Sequence, residues 1–118
     1  MQTIILDQGD YPLIPKKGTK LCVENSIWRN PQAEYAAAIL AMACAQIGEW
    51  APVSATVFGE AANAHPSSRH FGGRLMKSVW KLVSEDYMRV EKLDGVNYII
   101  PTSKFGHALK LAKITEIS

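Results

Sequence analysis

Residues 69–100 read RHFGGRLMKSVWKLVSEDYMRVEKLDGVNYII, and within them the hydrophobic period changes from helical to alternating. Over 69–84 the apolar residues Phe71, Leu75, Val79, Leu82 and Val83 recur at the three- and four-residue spacing of one helical face, which a helix would bury. After Glu85-Asp86 the pattern becomes extended. Residues 87–93 and 96–100 flank Asp94-Gly95, a dipeptide suited to a two-residue hairpin turn because both of its positions need positive φ. With Asp94 and Gly95 in the loop, Leu93 pairs with Val96 and Val90 with Ile99, which puts Val90 and Ile99 on one face. A helix running into a hairpin is therefore the expected centre of the fold.

The same helix has a second face. At 100° per residue His70, Arg74, Lys77 and Lys81 fall within about 60° of one another, and residues 69–84 contain no acid. A solvated polar face is the plain reading of such a stripe, but polar faces usually mix signs and this one does not. Gly72 and Gly73 lower helix propensity at the start, and close approach to another backbone would explain them. Trp80 lies about 180° from Phe71 and is expected to pack beneath the hairpin rather than stack on a base.

Working outward, Asn30-Pro31 forms a good helix start and Gly48 a good stop. Between them Ala36, Leu40, Ala43 and Ile47 form a stripe with Ile39 and Met42 beside it, so most of the circumference is apolar. The seven alanines from Ala33 to Ala45 let a neighbour approach closely, either another helix of the chain or a second copy. Trp28 and Trp50 flank this helix as core or interface residues. Trp50 to Ser54 reads as extended, with Ser54 capping a short helix that carries Val57, Phe58, Ala61 and Ala62 and ends near Asn63. A turn over 64–68 follows, whose serines can cap the basic helix. Beyond the hairpin, Pro101-Thr102-Ser103 closes the strand and caps a last helix over 102–118, with Phe105, Leu109 and Ala112 inward and Lys104, Lys110 and Lys113 exposed. Near the N-terminus Thr3–Leu6 and Leu21–Val23 are expected as two short strands joined by a turn-rich loop over 9–18.

A chain of 118 residues fits one domain, read here as an N-terminal extension over 1–29, a central part over 30–101 and the final helix. With 47% hydrophobic and 20% charged residues, it has the balance of a globular protein rather than a disordered one. The longest apolar stretch, Ala36 to Ala45, falls short of the roughly 20 residues that span a bilayer. No basic segment precedes an apolar one at the N-terminus, so a cytoplasmic chain without membrane contact is expected. Cys22 and Cys44 read as free, buried thiols, and with His65, His70 and His107 they offer no metal-ligand spacing. No nucleophile motif or strand-led phosphate loop is present, so no catalytic residue, metal or cofactor is expected. Phe71-Gly72-Gly73-Arg74 could hold an anion, though a turn explains it as well. The net charge of +2 is unevenly spread: residues 1–64 hold four Lys/Arg against six Asp/Glu, and residues 65–118 nine against five. The C-terminal half is therefore the basic half, at +4 against −2.

Helix, short helix, turn, third helix and hairpin, in this order, resemble the winged helix-turn-helix family. The likeness covers about residues 31–113 and is strongest where Val79-Trp80-Lys81-Leu82-Val83 leads into 87–92, Asp94-Gly95, Tyr98-Ile99-Ile100-Pro101-Thr102 and Gly106. It implies an α+β fold, mostly α: a three-helix core, a β-hairpin wing, a C-terminal helix and short extra N-terminal strands. It also implies double-stranded DNA as partner, read by the third helix while the wing touches the backbone or minor groove, in transcription regulation or a related transaction. On that basis Ser67, Ser68, Arg69, His70, Arg74, Lys77, Ser78 and Lys81 would face DNA, and Arg89 and Lys92 would be the wing contacts. Arg74 is the candidate for a guanine edge, with Lys77 and Lys81 on phosphates. Asp94 and Glu91 make the wing less basic than a minor-groove wing prefers. The family's habit of paired half-sites and the apolar helix 31–47 suggest a homodimer. Winged helices also act as protein-interaction modules, which is the competing expectation.

Overall fold

The structure, a computed structural model, describes Ile4 and residues 6–117. It is an α+β fold with the order β1 (Lys20–Glu24), α1 (Pro31–Ile47), β2 (Val53–Ser54), α2 (Ala55–Ala64), α3 (Ser68–Phe71), a 3-10 turn (Gly72–Arg74), α4 (Leu75–Ser84), β3 (Met88–Leu93), β4 (Val96–Pro101), α5 (Ser103–Leu111) and β5 (Lys113–Ile117). The strands form two small antiparallel sheets, β1-β5 and β2-β4-β3. No helix among the described residues is long and apolar enough to cross a membrane.

Helix α1 is the centre of the molecule. The Asn30 side chain accepts from the backbone N–H of Gln32 and Ala33, Pro31 occupies the first turn, and Gly48 ends the helix at φ 83°, a conformation that suits glycine. Every residue from Ala33 to Ala45 except Glu34 is buried, because β1, α2, α4 and β2 all pack on this one helix. Small side chains permit that crowding. The homodimer expected through helix 31–47 therefore loses the support of an open apolar face there: the chain itself already covers the circumference from Ala33 to Ala45.

The hairpin forms in the expected register. Leu93 pairs with Val96, Val90 with Ile99 and Met88 with Pro101, and Asp94 and Gly95 hold φ of 50° and 79°. Strand β2 adds to the other edge of β4 through Val53–Ile99 and Ser54–Tyr98. Ser54 then caps α2 by accepting from the Val57 N–H at 3.2 Å. Thr102 caps α5 by accepting from the Phe105 N–H, while its hydroxyl reaches the Asp86 and Tyr87 carbonyls at 2.6 and 3.0 Å. This ties the end of β4 to the turn after α4.

Both ends of the chain differ from expectation. The strand at Leu21–Val23 exists, but its partner is β5, with Lys20 opposite Ile117 and Glu24 opposite Lys113. Ile4 and Leu6 are not in a strand, and Thr3 and Ile5 lie outside the described residues. The last helix stops at Leu111, and the β-branched run Ile114-Thr115 with Ile117 becomes β5 instead. Residues 7–15 pack as an irregular strap: Tyr11 stacks on Trp50 at 5.7 Å, and the Trp50 indole N–H donates to the Pro12 carbonyl at 2.7 Å.

Candidate nucleic-acid interface

Helix α2 and the basic segment are joined by a turn built on His65, a residue the sequence did not single out. Its ring is buried, 5.1 Å edge-on from Tyr35. The Ser67 backbone N–H donates to Nδ1 at 3.0 Å, so Nδ1 must accept, and Nε2–H donates to the Leu21 carbonyl at 2.7 Å. A single neutral imidazole thereby ties β1 to the turn that aims the basic segment.

The segment after that turn is not one helix. Ser67 stands at the start of α3 without a side-chain capping bond, contrary to the expected serine cap. After one turn the backbone tightens into the 3-10 stretch Gly72–Arg74, and α4 begins only at Leu75. The expected four-residue stripe is therefore divided. Lys77 and Lys81 share a face of α4 one turn apart, whereas His70 lies in α3 and Arg74 at the junction. All four are exposed, as is Arg69, while Ser67 and Ser68 are half-buried. Ser78, expected at the interface, is 7% exposed and belongs to the face of α4 that holds Leu75, Val79 and Leu82.

The wing residues divide as well. Lys92 is exposed near the hairpin tip, opposite Asn97. Arg89 lies at the other end of β3, half-buried, within 3.4 Å of Asp7 and 3.2 Å of Glu91. Two acids engage it already, so its charge is partly met within the chain.

Trp80 departs furthest from expectation. It is 54% exposed, and Met76, one turn before it, is 47% exposed. Its expected place beneath the hairpin rested on tryptophan's preference for burial. Within α4 it lies about 100–160° around the helix from the buried Leu75, Val79 and Leu82, which is the outer flank. Helix α4 thus has two outer flanks. Met76 and Trp80 lean over a groove shared with Val90, Asn97 and Ile99 of the hairpin, and Lys81 borders a small hollow with Trp28, Asn30 and Glu85 near the start of α1.

Electrostatics favour the basic flank as an anion surface. Among the described residues the ion pairs are Arg89 with Asp7, Arg89 with Glu91 and Lys110 with Asp10. None involves Arg69, Arg74, Lys77, Lys81 or Lys92, and no acid occurs between Glu60 and Glu85. The described residues contain no cluster of His, Cys, Asp and Glu that could hold a metal ion. Cys22 and Cys44 are free. Burial pushes the Cys44 thiol up to about 11 against a lesser opposing effect of its bond to the Ala51 carbonyl, and burial with the neighbouring Glu24 raises Cys22, so neither favours the thiolate. The surface is accordingly read from its own residues: no family model, no curated protein and no solved structure matches the chain.

Proposed function

We propose that the chain is a winged helix-turn-helix protein that binds double-stranded DNA, with α4 as the major-groove helix and the β3-β4 hairpin as the wing. The observation that carries this reading is the set of cations over 69–81 that is exposed and, among the described residues, has no acid paired to it. Such a set lowers the free energy of a phosphate backbone by releasing condensed counterions. The sheet order β2-β4-β3, with α1, α2 and α4 packed together behind it, supports the same reading. In this reading Arg74, just before α4, contacts a guanine edge, Lys77 and Lys81 contact phosphates, and Lys92 touches the backbone from the wing. Arg69 and His70 flank the approach. Regulation of transcription, or a related DNA transaction, is the role this binding would serve.

The test is fluorescence anisotropy of a labelled mixed-sequence duplex titrated with the protein at several salt concentrations. Log K should fall linearly with log salt, and Arg74→Ala/Lys77→Ala/Lys81→Ala should bind more weakly with a shallower slope. Absence of binding by the wild type at about 50 mM salt, where non-specific affinity is easiest to see, would remove the reading.

A further inference from the structure

On the flank of α4 away from Lys81, a half-open groove of about 740 Å³ separates α4 from the hairpin. Phe58, Leu75 and Ile99, all buried, form its floor, and Met76 and Trp80 stand half-exposed at its rim. Its volume falls within the roughly 300–1,000 Å³ that small-molecule sites occupy. Large apolar side chains left over a concavity of this size mark a surface that something apolar covers.

The groove's polar groups narrow the class of occupant. Among the described residues Arg69 is the one charged residue that lines it, no acid does, and Arg69 has no ion pair. Asn63 and Asn97 add amide groups from opposite sides, α2 and β4. An occupant that satisfies this lining has an apolar body and one negative charge.

Three glycines, Gly59, Gly72 and Gly73, also line the groove. None has positive φ, and a Cβ added to any of them would meet nothing within 4 Å. The close approach to another backbone expected for Gly72 and Gly73 does not occur within the chain. Neither backbone conformation nor internal packing calls for glycine there, and two in succession weaken a helical segment. Bare backbone on the groove wall makes room for a flat group from outside.

We propose that this groove binds a small aromatic carboxylate, with Arg69 holding the carboxylate and Trp80, Met76 and Phe58 enclosing the ring. The proposal does not rest on the DNA reading, although Arg69 also flanks the proposed DNA approach, and its test contains no DNA. The ¹⁵N-labelled full chain is titrated with 2-naphthoate, and in parallel with 2-naphthylmethylammonium and thymidine 5′-monophosphate, while the Trp80 indole and the Gly72 and Gly73 amide signals are followed. Saturable shifts of these signals by 2-naphthoate are expected, together with about tenfold weaker binding by the cation and by Arg69→Gln, because a charge-assisted bond is lost. Gly73→Leu should block the shifts; a retained spectrum elsewhere shows that the variant folds, and Arg69→Gln tests the same site without altering the groove wall. Equal binding of cation and carboxylate, tighter binding of the nucleotide, or no saturable shift at Trp80 would overturn the proposal.

Discussion

The Tyr11 ring packs directly onto Gly106: a Cβ at position 106 would lie 2.6 Å from Cδ1 and 2.9 Å from Cγ and Cε1. The contact joins the N-terminal strap to α5, and the Tyr11 hydroxyl extends it by donating to the Asp7 and Pro101 carbonyls at 3.3 and 3.4 Å. Gly106→Ala would push the ring off, although alanine is the better helix former. A loss of about 1–3 kcal/mol is expected from such overpacking, read as a lower urea midpoint. An unchanged or higher midpoint would show that the strap does not press on α5.

The buried His65 holds the Leu21 carbonyl and the Ser67 N–H at once. His65→Phe keeps the ring but leaves both backbone groups without that partner. About 2 kcal/mol of stability should be lost, with faster amide exchange at Ser67. Slow exchange at Ser67 in the variant would mean that another group secures the turn.

Alkaline pH should unfold the protein earlier than its charge balance suggests. Burial is the main cause that pushes the Tyr11 hydroxyl up to about 12, with Asp7 adding to it, and burial pushes Cys44 up to about 11. Both folded values exceed the ordinary ones of 10.0 and 9.0, so the folded state favours the neutral forms. Their contribution is whole below about pH 9 and is lost as pH rises through 11 to 12. Denaturant midpoints measured from pH 8 to 11.5 should fall across that window, and Cys44→Ala should flatten the first part of the decline. A wild-type midpoint that stays level to pH 11.5 would contradict it.

Ser78 and Lys77 are neighbours in sequence with opposite fates, one buried and one exposed. In the anisotropy assay Lys77→Ala should reduce the salt slope by about 0.9, the share of one phosphate. Ser78→Ala should leave the slope unchanged. Equal effects from both would mean that α4 presents a different face to DNA.

Local chemistry made much of the fold legible. Asn30, Gly48, Ser54, Thr102 and Asp94-Gly95 each act within a few residues of their own position, and each stands where the sequence placed it. Pairing across the whole chain was not legible: nothing near Leu21 identifies Glu116 as its partner, and nothing near Ile114 identifies Val23. At the site the helical phase was right and was overridden. At 100° per residue Ser78 lies about 20° from Phe71 and Trp80 about 180° from it, so phase alone puts Ser78 inside and Trp80 outside, as they are found. The family resemblance had carried Ser78 to the surface, and tryptophan's preference for burial had carried Trp80 inward. The 3-10 stretch Gly72–Arg74, which divides His70 and Arg74 from Lys77 and Lys81, was a separate miss, and the two adjacent glycines were the available signal for it.

The pairing of β1 with β5 has a mechanical consequence. Because the strands are antiparallel and Lys20 faces Ile117, a load applied across those two residues falls first on a single rung. The ladder would open one hydrogen-bonded pair at a time, like a zipper, instead of shearing along its length. The seam would therefore part under low force and release β1 from the face of α1 that it covers.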